Sequence, residues 1–361
     1  MTETALVRPV RVLIVDDSAF MRTALARMIA SEAGLEVVAI ASSGSEALEK
    51  IASHDPDVVT LDVQMPGLDG LGTLRCIMQR FPRPVIIVSA MAEKDAEITF
   101  NALSAGAFDY VPKQLSDASL DIAHIRCDLI DKIRAAVAAR RQSVAFSLRK
   151  PGPSGFNSAE MVSPLAPAVV AIGVSTGGPK ALVEILPRFP RDFPLPILIV
   201  QHMPEGFTGP FAQRLNALCA ITVHEACAGE LIQPATAYIA PAGLHMRVKH
   251  RLSDARPIIV LDPQPESALH IPSVDVLMKS VATFYGTNAV GVIMTGMGSD
   301  GAEGMKAIYH AGGLTIGQDE DTCTVYGMPR ACAELGVLGR IVPLGDIPGQ
   351  ILQATRRHLP A

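Results

Sequence analysis

Five short apolar runs near the amino terminus, VRVLIV, EVVAIA, DVVTL, PVIIVSA and FDYV, each precede a segment with the 3.6-residue period of an amphipathic helix. Strands that alternate strictly with helices cannot close hairpins, so they are joined by crossovers into a parallel sheet with helices on both faces. The pattern runs from Val10 to about Arg141 and then stops. From Gln142 to Pro167 periodicity is lost among Pro151, Pro153, Pro164 and Pro167, with Gly152, Gly155 and several serines between them. Such a stretch reads as a connection between domains. Alternation resumes at Ala168, where VVAIGV, LPILIV and AVGVIM are fully apolar strands and AYIA, HMRV and PIIVL are shorter and half-exposed. The expected fold class is therefore α/β in two domains, each a mainly parallel sheet flanked by helices: a first domain over 8–135, a linker over 136–166 and a doubly wound domain over 167–355. The second carries a β-hairpin-rich insertion near 236–261.

Composition narrows the function. The net charge is −5 over 361 residues, with the acidic excess present in both halves, which argues against a nucleic-acid partner. No apolar stretch approaches the roughly 18 residues of a membrane span, and no basic n-region with a cleavage site opens the chain, so the expectation is a cytoplasmic protein without membrane insertion. The six cysteines form no C-x-x-C pair and no zinc spacing, and are expected to be buried reduced thiols.

In a parallel sheet the carboxyl ends of the strands converge on one edge. In the first domain that edge collects Asp16 and Asp17 after the first strand, Asp62 at the end of the third, Ser89 at the end of the fourth and Lys113 after the fifth. Three crowded carboxylates repel one another unless a cation neutralises them, and hard oxygen ligands suit Mg²⁺. One carboxylate can then accept a phosphoryl group, with a hydroxyl and an ammonium holding its oxygens. A single Asp at a strand end more often caps a helix. Five suitable residues at the expected strand ends carry the phosphoryl-transfer reading.

The segments VLIVDDSAFMR, LDVQMPGLDGL, VSA and FDYVPK resemble the receiver domain of two-component response regulators over about residues 8–135. That resemblance implies a flavodoxin-like fold, phosphorylation at Asp62, Mg²⁺ held by Asp16, Asp17 and Asp62 with the Gln64 carbonyl, support from Ser89 and Lys113, and a Tyr110 ring that reorients on phosphorylation. Gln114 departs from the family, which usually has proline after the lysine.

In the second domain VVAIG runs into Gly173-Val174-Ser175-Thr176-Gly177-Gly178-Pro179 and then a helical segment. This is G-x-S-x-G between strand and helix, which exposes a serine hydroxyl beside backbone amides able to hold an oxyanion. The same turn can bind any anion, so alone it does not choose between a hydrolase and a phosphate loop. A nucleophilic serine needs a base and an orienting carboxylate. His202 follows the strand PILIVQ, and Asp300 follows VGVIM within TGMGSDG. A rival pairing of His270 with Asp254 or Asp262 would restore the Ser, Asp, His order of α/β-hydrolases, but ranks lower because those residues belong to the β-rich insertion and its loops, away from the apolar central strands.

IGVSTGGP, VQHMP with FTGPFAQRL, AYIAPAGLHM, PSVDVL, MTGMGSDGAEGM and the GMP at 327–329 resemble the catalytic domain of chemotaxis protein-glutamate methylesterases over about residues 167–355. The resemblance implies Ser175 as nucleophile, His202 as base and then acid, Asp300 as orienter, and the Thr176 and Met297 amides as oxyanion donors, with no cofactor for ester hydrolysis. Ile271 stands where the family has a basic residue. The implied partners are methylated cytoplasmic helices of chemoreceptors and a chemotaxis histidine kinase as phosphodonor. The unphosphorylated receiver would cover the Ser175 crevice, and receptor glutamines would be deamidated by related chemistry. Two other output functions compete: DNA binding, which the acidic second half opposes, and nucleotide binding through GVSTGG, which lacks G-x-x-x-x-G-K-[ST] and a suitably spaced acidic residue.

Overall fold

Strands with no polar face become central strands. In a computed structural model, residues 8–89, 93–113, 119–146 and 168–356 are described, and the chain divides into two units, Met1–Gly152 and Pro153–Ala361. The first unit holds β1 (Val10–Val15), β2 (Leu35–Ala41), β3 (Val58–Asp62), β4 (Val85–Ser89) and β5 (Asp109–Pro112). They lie in the order β2-β1-β3-β4-β5, every pairing parallel. All of β3 and β4 and most of β1 are buried, which is why they read as continuous apolar runs. Chain order reverses between β1 and β3, so a crevice opens at their carboxyl ends.

Helix Ala19–Ala30 starts where Ser18 accepts a hydrogen bond from the Met21 amide, and Asp69 caps Gly70–Arg80 through the Gly72 amide. The helix after β5 runs Ser119–Phe146, so residues 136–146, expected in the linker, are helical, and Ala136 and Val137 are buried in the core. Gln114, the proline-rich part of the linker at 147–167 and Arg357 lie outside the described residues.

The second unit holds β6 (Val169–Val174), β7 (Ile197–Gln201), β8 (Thr222–Glu225), β9 (Thr236–Ile239), β10 (His245–His250), β11 (Pro257–Asp262), β12 (Ala289–Ile293), β13 (Leu314–Gln318) and β14 (Arg340–Val342). Seven of them form one sheet in the order β14-β13-β12-β6-β7-β9-β8, all pairings parallel. Only β10 and β11 stand apart, as an antiparallel ribbon. The expected insertion at 236–261 is thus smaller: β9, read as half-exposed, joins the main sheet with Ala237, Tyr238 and Ile239 buried. Three further strands, β8, β13 and β14, lack a long apolar run: TVHE is polar, LTIGQ carries Thr, Gly and Gln, and RIV is three residues long.

Helix Val274–Tyr285 buries Leu277, Met278 and Val281 in the core with Met305 and Ile308. Each fully buried side chain of this kind contributes about 1.5–3 kcal/mol, so this helix is fixed firmly enough to serve as a platform. All six cysteines are free, but Cys127, on the helix after β5, and Cys227, in the turn after β8, are exposed. Burial is expected for all six, but only Cys332 is buried, and Cys76, Cys219 and Cys323 are half-buried. Helix and turn each turn one face to solvent, and composition does not say which. No helix among the described residues is long and apolar enough to cross a membrane.

Candidate phosphoacceptor and candidate active site

At the carboxyl edge of the first sheet the residues named from sequence converge. Asp16 and Asp62 are buried, at 0% and 2% exposure, whereas Asp17 is exposed. One oxygen from each lies within 4.8 Å of the others. Lys113 Nζ reaches Asp16 Oδ2 at 2.9 Å and Asp62 Oδ2 at 2.6 Å. The Asp62 carboxylate also accepts the Gln64 amide at 3.1 Å, and Asp16 accepts the Ser18 amide at 2.9 Å. Burial raises the Asp62 pKa above the ordinary value; the hydrogen bonds from Lys113 and Gln64 oppose it, and the Asp16 charge adds to it. One ammonium against three carboxylates leaves two negative charges, the complement of a divalent hard cation. Asp16 Oδ2 is paired with the Lys113 ammonium at 2.9 Å, and its remaining lone pair, with the exposed Asp17 carboxylate, leaves acceptors for such an ion.

Ser89 ends β4, its carbonyl accepting the Lys113 amide at 2.7 Å and its hydroxyl accepting Thr99 Oγ1 at 2.9 Å. Tyr110 is buried on β5, and burial, then the charges of Asp109 and Asp128, push its phenol well above its usual pKa. Lys132 lies over its ring at 5.3 Å and donates to its carbonyl at 2.6 Å.

In the second unit the site grows from three adjacent strands, β12, β6 and β7. Ser175 follows β6, its amide donating to the Thr295 carbonyl at 3.0 Å beyond the end of β12. Thr295 Oγ1 donates to the Thr176 carbonyl at 2.9 Å, so one threonine holds two peptide groups of the nucleophile turn. Gly177, at φ 77°, turns the chain into helix Gly178–Ile185, where Pro179 supplies a preset helical φ in the first turn. Gln201, the last residue of β7, is buried and bridges the two sides, donating from Nε2 to the carbonyls of Ser175 at 3.0 Å and His202 at 2.9 Å. Because Val174 is in register with Gln201, Ser175 and His202 leave neighbouring strands side by side.

His202 Nε2 lies 2.8 Å from Asp300 Oδ2. The Asp300 carboxylate also accepts Ser273 Oγ at 2.8 Å, the Val274 amide at 2.8 Å and the Asp275 amide at 3.0 Å. It therefore sits on the amino terminus of helix Val274–Tyr285, whose dipole favours negative charge. Burial would raise its pKa, but the hydrogen bond and charge of His202 and the Asp275 and Val274 amides outweigh burial and hold the carboxyl well below the usual range. The other imidazole nitrogen, Nδ1, is buried and takes no hydrogen bond. With Nε2 committed to the carboxylate, Nδ1 is the nitrogen left to receive a proton.

The Ser175 hydroxyl makes no hydrogen bond among the described residues, and neither do the Thr176 and Met297 amides. Those two amides flank the serine from the β6 and β12 sides, since Thr176 follows it in the turn and Gly296, next to Met297, packs on its β-carbon.

The rival carboxylates do not reach this site: Asp254 is paired with Arg251 and Arg256, and Asp262 with Arg247. His270 does reach it. Its ring stacks on His202 with centroids 4.2 Å apart and planes 23° from parallel. His270 thus lies beside the central strands, because the segment after β11 returns to the sheet edge before helix Val274–Tyr285. Sequence reasoning also missed Gln201, Ser273, Thr295, Gln318 and His245. Gln318 accepts the Thr295 amide at 2.8 Å, and the fully buried His245 accepts the Ser273 amide at 3.0 Å. The one available signal was polarity at the end of an apolar run, in ILIVQ for Gln201 and in AVGVIMT for Thr295.

Residues 170–351 match the family profile of the CheB methylesterase domain, and residues 12–124 match that of the response regulator receiver domain. A protein-glutamate methylesterase/protein-glutamine glutaminase of Nitratidesulfovibrio vulgaris is 47% identical over 95% of this chain and 98% of its own length. A protein of the same description from Pyrococcus horikoshii is 43% identical over 96% of this chain and 94% of its own. Among solved structures, the CheB methylesterase catalytic domain of Thermotoga maritima is 38% identical, with a TM-score of 0.50, covering 52% of this chain and 99% of that one.

Proposed function

The chain belongs to the CheB methylesterase family, with a receiver domain ahead of the esterase domain, and we propose that it hydrolyses γ-methyl esters of glutamate on the cytoplasmic helices of chemoreceptors under control of phosphorylation at Asp62. The observation that carries the esterase half is the His202–Asp300 contact at 2.8 Å, made by a carboxylate already bound to three donors at a helix terminus. Hydrogen bonds to a charged group are worth about 1.5–3 kcal/mol each, so this carboxylate stays ionised and fixed while the imidazole gains and loses a proton.

Ser175 Oγ attacks the ester carbonyl carbon while its proton passes to His202 Nδ1. The resulting oxyanion is held by the Thr176 and Met297 amides. Collapse expels methoxide, which takes the proton from His202 and leaves as methanol. Water then attacks the acyl-serine, again giving its proton to His202. Ser175 is regenerated and the glutamate carboxylate released. Contact between serine and base often tightens only with substrate bound, which accommodates a hydroxyl that makes no hydrogen bond here. The same steps applied to a glutamine side chain release ammonia.

In the receiver, Asp62 is the phosphoacceptor. Asp16, Asp17 and Asp62 would hold Mg²⁺, which when bound screens the approach of a phosphoryl group; Lys113 and Ser89 would bind its oxygens. A chemotaxis histidine kinase is the expected donor. Added charge at Asp62 shifts the protein from a restrained to an active state. The family match over 170–351 leaves the DNA-binding and nucleotide-binding output readings without support.

Methanol release from methylated receptor tests both halves. The intact chain treated with a small phosphodonor and Mg²⁺ is expected to be active, Ser175→Ala inactive under all conditions, and Asp62→Ala active only at the unstimulated rate. Activity in Ser175→Ala would overturn the serine mechanism, and equal stimulation of Asp62→Ala would overturn the regulatory one.

A further inference from the structure

His202 is held at one end only. Its Nε2 is bonded to Asp300, while Nδ1 has no hydrogen bond to set the plane of the ring. Rotation about the Cβ–Cγ bond of histidine is broad and roughly two-fold, so a single hydrogen bond leaves the imidazole free to tilt. Proton transfer needs the in-plane lone pair of Nδ1 aimed at the serine oxygen, and tilt takes it out of line.

The neighbour that limits this tilt is His270. It lies face to face with His202, 4.2 Å between centroids and 23° between planes, the geometry of a stacked aromatic pair. The short stretch that delivers it is secured at the same site. Three residues on, Ser273 Oγ donates to Asp300 at 2.8 Å, and the Ser273 amide donates to the fully buried His245 at 3.0 Å. The Ile271 carbonyl accepts the Gly243 amide at 3.2 Å. One segment thus grips the His–Asp pair twice, by the carboxylate through Ser273 and by the ring face through His270.

We propose that His270 is a positioning residue of the esterase reaction, its ring holding the His202 imidazole in the plane that presents Nδ1 to Ser175. The inference rests on the triad reading given above. It has a second consequence. As Ser175 gives up its proton, His202 becomes a cation, and the π face of the ring stacked on it favours that charge. The contribution is absent while His202 is neutral, so it acts on turnover and leaves substrate binding alone.

The test measures methanol release from methylated chemoreceptor by the intact, phosphodonor-treated chain, comparing His270→Ala, His270→Phe and Ser175→Ala. Losing the stack is expected to lower kcat about tenfold, with KM changed by less than about twofold and an unaltered thermal midpoint. His270→Phe, which keeps an aromatic face without a titratable nitrogen, is expected to recover kcat to within about threefold of the unsubstituted chain. Full turnover in His270→Ala, a loss confined to KM, or a His270→Phe variant as slow as His270→Ala would each overturn the proposal. An active Ser175→Ala would instead remove the triad reading beneath it, so the two failures are told apart.

Discussion

Gly296 is pressed against Ser175: a β-carbon built at position 296 would lie 2.9 Å from Ser175 Cβ and 2.2 Å from Met328 Sδ. Two neighbouring loops therefore meet at the nucleophile with no room for a side chain between them. Gly296→Ala should push the serine out of line while leaving the sheet intact. Displacement of a reacting group by about 1 Å costs on the order of 10²-fold. Steady-state kinetics should show that loss in kcat, with far-ultraviolet circular dichroism unchanged.

Asp300→Asn changes a carboxylate that accepts four hydrogen bonds into an amide that must turn its NH₂ toward donors. The imidazole then loses the partner that sets its tautomer. Turnover should fall by roughly 10⁴-fold, as for other triads with this substitution, and stability by about 1–3 kcal/mol from mismatched buried donors. Methanol-release kinetics and urea denaturation check the two effects separately. A variant of near-normal rate would show that this carboxylate does not orient the base.

Ser273 serves two elements at once, capping helix Val274–Tyr285 through the Val276 amide and donating to Asp300. Ser273→Ala should cost about 1 kcal/mol for the lost cap. Its kinetic penalty should be much smaller than that of Asp300→Asn, because three donors to the carboxylate remain. Parallel measurement of thermal midpoint and kcat tests this ranking.

Asp62 supplies a pH dependence. Its folded-state pKa is raised, with burial as the largest cause, so between the unfolded value near 3.8 and the folded value the native state binds more protons than the unfolded one. Stability contributed by this group is present below the unfolded value and is lost as pH rises through the folded one. Asp62→Asn is therefore expected to be more stable than the parent at pH 7 without Mg²⁺, the gap closing as pH falls toward 4. Adding Mg²⁺ should stabilise the parent and narrow the gap at pH 7. Thermal melts of the intact chain over this pH range decide it; a gap that widens on acidification would contradict the assignment.

Both sheets were legible in the sequence because their central strands are buried on two faces and so appear as unbroken Val, Ile and Leu runs. Asp16, Asp62 and Ser175 were legible for a related reason, each ending or directly following such a run with a polar group, whereas His202 and Asp300 stand out in the loops that leave β7 and β12. What escaped detection lies on strands with no apolar signature, such as TVHE and RIV, or is joined by contacts distant in the chain. The stack of His270 on His202 is the clearest instance, since the sequence offers His270 only as a rival base. Nothing within HIPSVD indicates that an imidazole will come to rest on a ring 68 residues earlier, since the return of that segment is decided by Asp300 and His245.

The two exposed thiols fall one in each unit, Cys127 in the first and Cys227 in the second, while Cys332 is buried and burial pushes it up to about 12. Alkylating reagents act on thiolates, so a gentle stoichiometric treatment should favour the exposed pair over the buried thiol. Natural side chains thus already provide attachment points for a donor and an acceptor dye. With half-buried Cys76, which lies in the same unit as Cys127, replaced by serine, energy transfer between the dyes, followed while phosphodonor is added, would report movement of one half against the other.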